Sequence, residues 1–138
     1  MWAIIGGSGF EHFEGVELVQ ELARETPFGL ASSGLKKIRV SGVECLFLPR
    51  HGKHHELNPS EVNYRANIFA LKKFGATKLI GFSAVGSLRK EIAPGDMVVP
   101  VQYIDCTKSV RETSFSGKGF VAHVSLANPV WKAGSEYV

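Results

Sequence analysis

The sequence predicts an α/β fold with a mixed central β-sheet flanked by helices, and three observations carry that expectation. The chain opens on an apolar run, Trp2-Ala3-Ile4-Ile5, that passes directly into Gly6-Gly7-Ser8-Gly9, the pattern of a buried strand ending in a tight turn. A second apolar run, Lys78 to Phe82, ends the same way in the small residues Ser83-Ala84-Val85-Gly86-Ser87. Between them, Asn58-Pro59-Ser60-Glu61 followed by an apolar stretch carries the signals of a helix start.

The bulk properties narrow the class. With 138 residues, 44% hydrophobic and 21% charged, the chain suits one globular unit, expected to span residues 1–138 as a single domain. Its net charge of +3 comes from scattered lysines and arginines, which argues against a nucleic-acid partner and favours a small anionic ligand over an extended polyanion. Cys45 and Cys106 lie far apart with no C-x-x-C spacing, so neither a zinc pair nor a redox dithiol is expected, and reduced thiols are. The apolar start is too short for a signal peptide or a membrane span, so a soluble cytoplasmic protein with no membrane partner is expected.

The remaining elements follow in order. Lys36 to Val40 and Val43 to Leu48 read as strands joined at Ser41-Gly42, a hairpin signal, and a polar loop from Pro49 to His55 comes next. The helix is expected to begin at Asn58, with Pro59 in the first turn and Glu61 reaching back, and to stop at Gly75. Ala66, Ile68, Phe69, Ala70 and Leu71 make it apolar on most sides, which favours deep packing, and Lys72 and Lys73 complement the dipole in its last turn. After the turn Pro94-Gly95-Asp96, Met97 to Ile104 reads as a long strand bent near Pro100. Thr107 to Gly119 reads as a loop, and Phe120 to Val138 shows no clear period.

Ligands in open α/β sheets gather at the carboxyl ends of strands, so three polar loops are expected to converge: Gly6 to Gly9, Arg50 to His55, and Ser83 to Ser87. The first and third offer hydroxyls and open backbone N–H groups, and the second offers a guanidinium and imidazoles. A guanidinium grips a tetrahedral oxyanion through parallel hydrogen bonds, and a neighbouring histidine adds a donor whose charge depends on pH, so phosphate is the expected ligand. Other nucleotide motifs fail: Gly7-x-Gly9 meets His12 where a dinucleotide loop needs glycine, and Ser116-Gly117-Lys118-Gly119 has Glu112 where a P-loop needs its leading glycine. His51, His54 and His55 could instead hold a metal or form a surface cluster without a role, although no carboxylate or cysteine falls at ligand spacing. Ser8, Ser83 and Ser87 are weaker candidates as covalent nucleophiles, because none sits in a G-x-S-x-G elbow.

The run Leu48-Pro49-Arg50-His51-Gly52-Lys53-His54-His55, continued by Asn58-Pro59-Ser60-Glu61-Val62-Asn63-Tyr64-Arg65-Ala66-Asn67-Ile68-Phe69-Ala70-Leu71, closely resembles a stretch of the methylthioadenosine phosphorylases and related purine nucleoside phosphorylases. Supporting pieces occur in family order: Ile4 to Gly9, Thr26-Pro27-Phe28-Gly29, Ser83 to Arg89, and Pro94 to Val98. The resemblance implies a phosphorylase-like fold of which this chain carries the N-terminal half, with the family pattern lost after Pro129. It places Ser8, Arg50, His51, Ser83 and Ala84 around phosphate, Ser83 and Ala84 also beside the ribose, and His123 near the 5′ substituent in a neighbouring subunit's site.

The activity implied is phosphorolysis of a purine nucleoside of the 5′-methylthioadenosine, methylthioinosine or inosine class, with phosphate as co-substrate, no metal and no organic cofactor. Family members form trimers, so a homo-oligomer is expected. The glycine-proline-arginine loop, the methionine under the ribose and the acidic residue that protonates the base do not occur in these 138 residues. No catalytic acid is therefore assigned, and weak or absent turnover by this chain alone is expected. The alternative is a catalytically incomplete module that binds phosphate or nucleoside.

Overall fold

In a computed structural model of the chain, which describes residues 1–7, 14–107, 110–117 and 119–137, the contacts divide into two compact units. The first is Met1–Ser83 with Val110–Ser114, and the second is Ala84–Ser109 with Phe115–Val138. Among the described residues the first unit holds the strands β1 (Trp2–Gly6), β2 (Val16–Leu22), β3 (Glu25–Thr26), β4 (Gly29–Leu30), β5 (Leu35–Val40), β6 (Val43–Pro49) and β7 (Lys78–Gly81), with helix α1 (Tyr64–Lys73) preceding β7. The second holds the short helix α2 (Lys132–Ser135).

Five strands form a mixed sheet in the order β2-β5-β6-β1-β7. β1 pairs in parallel with β6, Trp2 opposite Cys45 and Gly6 opposite Pro49, and in parallel with β7, Trp2 opposite Lys78. β2, β5 and β6 are antiparallel neighbours. The expected hairpin is present: Val40 faces Val43 across Ser41 and Gly42, both at positive φ (48° and 79°). Two successive left-handed residues are what a tight hairpin turn needs to match strand twist, and glycine in the second place removes most of the cost. β2, β3 and β4 were not expected. β2 alternates too weakly to be read, since Leu18 and Val19 are both exposed at the sheet edge.

Side-chain alternation splits the core between the two sheet faces. Ala3 and Ile5 of β1 and Leu46 and Leu48 of β6 pack with Ala66, Ala70 and Leu71 of α1, whereas Trp2, Ile4, Cys45, Phe47 and Ile38 gather in a separate cluster. Burying side chains the size of Leu46, Phe47 and Leu48 contributes about 1.5–3 kcal/mol each. Asn67 is the buried polar member of the helix face. Its Oδ1 accepts from the Ser32 amide at 2.8 Å and its Nδ2 donates to Ser32 Oγ at 3.0 Å, which ties α1 to the segment before β5.

Three expectations need correction. The helix begins at Tyr64 rather than Asn58. Asn58 and Glu61 do form the reciprocal capping bonds, Asn58 N donating to Glu61 Oε2 (2.9 Å) and Glu61 N to Asn58 Oδ1 (3.1 Å), but they close a turn. Val62 then enters the core and Asn63 donates to Phe28 O at 2.8 Å, so tertiary contacts pull the chain off the helical path. The true cap is Asn63, whose side chain accepts from Ala66 N. Second, α1 is packed on one face, with Ala66, Asn67, Ala70 and Leu71 buried and Ile68 39% exposed.

Third, Met97 to Ile104 is unpaired and exposed rather than a strand, with Met97, Val101 and Ile104 at 71%, 83% and 92% exposure. β-propensity makes a strand only where a partner completes the ladder and covers the side chains, and no described residue does so here. The helix stop is as expected, with Phe74 as cap and Gly75 at φ 93°. No helix among the described residues is long and apolar enough to cross a membrane.

The Asn67 contacts generate a test. Asn67→Ala leaves the Ser32 amide and hydroxyl without partners under the helix, and a loss of about 2–3 kcal/mol is expected. Urea unfolding followed by far-ultraviolet circular dichroism measures it, and an unchanged midpoint would refute the account.

Candidate anion-binding site

Because β6, β1 and β7 run parallel and adjacent, their carboxyl ends share one edge of the sheet. Backbone bonds carry the pairing one residue further: Arg50 N donates to Gly6 O at 3.0 Å and Phe82 N to Ile5 O at 2.8 Å. The starts of the three expected loops are therefore brought together. Gly6 is buried and Gly7, Arg50, His51 and Phe82 are half-buried.

The Arg50 side chain spans this edge. Nη1 donates to the carbonyl oxygen of Phe82, beyond the end of β7, and Nε donates to His51 Nε2 at 3.0 Å. Two of the five N–H groups of a guanidinium are thus engaged, and both on Nη2 have no partner among the described residues. Among the described residues no carboxylate contacts Arg50, in contrast to Arg39 beside Glu44 and Glu17, Arg65 beside Glu112, and Arg89 beside Glu91.

His51 is clasped by the backbone of its own loop. Leu57 N donates to His51 O at 2.9 Å, and His51 Nδ1 lies 2.8 Å from Leu57 O. A carbonyl only accepts, so Nδ1 carries the proton and Nε2 is the acceptor that Arg50 fills. The His55 ring lies 4.9 Å from that of His51 at an interplanar angle of 31°, from a backbone at φ 60°. Gly52, at φ 86°, makes the sharp turn between them, and a Cβ there would project into the carboxylate of Glu56. That carboxylate accepts from His54 N at 2.8 Å. Glu56's own amide and that of His54 hold the carboxyl below the usual glutamate range.

The other sequence candidates are placed as follows. Ser83 is exposed directly after Phe82, in the first unit. Ala84, exposed, opens the second unit, and His123 is an exposed residue of that unit. Ser8 lies outside the described residues. Among the described residues no three His, Cys, Asp or Glu side chains come together as a metal site, and both ring nitrogens of His51 are taken by Leu57 O and Arg50. Sequence reasoning missed Glu56 and the carbonyls of Leu57 and Phe82. Nothing in a sequence marks a carbonyl as a partner, and only the turn at Gly52 puts Glu56 beneath it.

The fold is thus an α/β protein in which an arginine, with no carboxylate partner among the described residues, sits where three parallel strands end. The chain belongs to the phosphorylase superfamily, whose family model matches residues 2–134. More particularly, it is 50% identical over 127 residues to the S-methyl-5′-thioadenosine phosphorylase of Geobacter sulfurreducens, covering 92% of this chain and 44% of that protein. It is 51% identical over 127 residues to the enzyme of that name from Thermococcus kodakarensis, covering 91% and 48%. Among solved structures, a methylthioadenosine phosphorylase from an antarctic soil metagenomic library matches with a TM-score of 0.87 and 47% identity, over 94% of this chain and 45% of that one. The Schistosoma mansoni methylthioadenosine phosphorylase in complex with adenine matches with a TM-score of 0.83 and 44% identity, over 93% and 48%. The chain thus spans under half the length of these relatives.

Two outcomes are expected for the loop. Gly52→Ala places a side chain at a left-handed φ, at a cost of about 1–3 kcal/mol, and displaces Glu56, so the thermal midpoint falls and exchange of the His54 amide speeds up. In wild type, the folded pKa of Glu56 is depressed, so its contribution is present above the unfolded glutamate pKa and lost as pH falls through the lower folded value. His54 amide protection, corrected for intrinsic exchange, should drop in acid, and Glu56→Gln should remove that acid dependence. Protection of His54 that stays constant into acid in wild type would refute it.

Proposed function

We propose that this chain is the phosphate-holding part of a purine nucleoside phosphorylase that cleaves the N-glycosidic bond of a 5′-methylthioadenosine-class nucleoside, releasing free purine and a ribose-1-phosphate derivative for salvage. The observation that carries this reading is the Arg50 guanidinium, held at the carboxyl edge of three parallel strands by a carbonyl and an imidazole, with its charge opposed by no carboxylate among the described residues. The names of the relatives supply the nucleoside class.

In this reading Arg50, His51, Ser83, Ala84 and Ser8 surround phosphate, Ser83 and Ala84 also border the ribose, and His123 serves the 5′ substituent in an adjoining subunit of a cytoplasmic homo-oligomer, a trimer. Phosphate attacks the anomeric carbon while the purine leaves, through a transition state with oxocarbenium character. Arg50 places the attacking anion and offsets its charge, so catalysis comes from orientation and electrostatics, without metal, organic cofactor or covalent enzyme intermediate. Protonation of the leaving base requires an acid that the resemblance assigns to none of these 138 residues. A second reading follows from that observation: the 138 residues bind phosphate without turning over nucleoside.

Calorimetry with inorganic phosphate is expected to show binding by the 138-residue chain that Arg50→Ala weakens at least about tenfold, the scale of a lost charged hydrogen bond. A coupled assay for purine released from methylthioadenosine is expected to be negative for this chain alone. No phosphate binding would overturn both readings. Sustained purine release would overturn the second.

A further inference from the structure

We infer that this site selects oxyanions that carry a proton, taking hydrogenphosphate over sulfate, and that His51 is the residue that discriminates. The inference rests on reading the Arg50 edge as an anion cradle.

The Leu57 carbonyl fixes the proton of His51 on Nδ1, so Nε2 presents a lone pair toward Arg50. The reciprocal bond from Leu57 N to His51 O, and the His55 ring beside the imidazole, hold the ring in this orientation. In the structure the lone pair is satisfied by Arg50 Nε–H. An oxyanion that takes the parallel Nε–H and Nη2–H bonds of the guanidinium removes the donor from Nε2. A half-buried acceptor left bare is costly, and an ionised oxygen set against it is repelled.

An anion with its own O–H removes that penalty by donating to Nε2. Hydrogenphosphate and sulfate share tetrahedral shape and a double negative charge, and they differ in this one proton. A site built to receive a hydrogen bond rejects the isostere that cannot make it. The same arrangement orients the bound phosphate. Its P–OH faces His51, the proton stays on that oxygen as a shared hydrogen bond, and unprotonated oxygens remain for Arg50 and for attack on the sugar.

The test is calorimetry of the 138-residue chain with sodium phosphate and with sodium sulfate, at matched ionic strength, in mildly alkaline buffer where inorganic phosphate is the hydrogenphosphate dianion. Phosphate is expected to bind at least about tenfold more tightly, a difference of about 1.4 kcal/mol. In His51→Gln the side-chain amide can donate where Nε2 accepted, and the ratio should fall below about threefold. A purely structural role for His51 would weaken both anions together and leave the ratio unchanged. A second measurement needs no variant: the ¹⁵N resonance of His51 Nε2 should shift on adding phosphate and not on adding sulfate, while Nδ1 keeps its proton. Equal binding of the two anions by wild type would overturn the inference, since Arg50 would then be keeping its Nε–H on His51 and meeting the anion through Nη2 alone. Binding of neither would overturn the cradle itself.

Discussion

The parallel pairing of β1 with β6 on one side and β7 on the other is the constraint from which the site follows. Parallel neighbours end on the same edge, so three loops far apart in sequence start within hydrogen-bond reach of one another. A parallel strand also needs a crossover, and α1 supplies it between β6 and β7, packing Ala66, Ala70 and Leu71 against Ala3, Leu46 and Leu48. The register is pinned at the opposite end as well, where Thr77 N donates to Met1 O at 2.9 Å and the terminal amine to Thr77 Oγ1 at 3.0 Å.

What that edge does with its arginine differs from the treatment of charge elsewhere in the chain. Arg39 lies against Glu44 and Glu17, which hold it above its ordinary value, and Glu44, bonded by Lys37 and Arg39, is held below its own. Arg50 is positioned as firmly, but by a carbonyl oxygen and an imidazole nitrogen. Partners that orient without cancelling charge leave a cation able to meet a small anion. The only carboxylate placed in the adjoining loop among the described contacts, that of Glu56, is turned beneath Gly52 and spent on backbone amides.

The start of α1 shows how local preference and packing compete. Asn58 and Glu61 make every bond that a capping box asks for, yet the helix waits until Asn63. Asn63 caps α1 and also bonds Phe28 O, while Val62 is buried beside it. A cap is worth about 1 kcal/mol, less than burying a valine, so the five residues before Asn63 follow the core rather than their own propensity.

The sequence by itself determined the α/β class, the first strand, the hairpin at Ser41-Gly42, the stop of the helix at Gly75, and the loops from which Arg50, His51 and Ser83 come. Each is a local matter, set by apolar runs, left-handed turn residues and a glycine after a helix, and the long motif around Arg50 was specific enough to place the family. Tertiary structure alone decided which strands lie beside which, where the helix begins, and that Met97 to Ile104 finds no partner among the described residues. It also decided the chemistry of His51. The sequence suggests a histidine that donates to an anion, but the position of the Leu57 carbonyl sets its tautomer and makes Nε2 an acceptor. A residue's identity supplies its possible hydrogen bonds, and only the fold, by choosing its neighbours, selects the ones it makes.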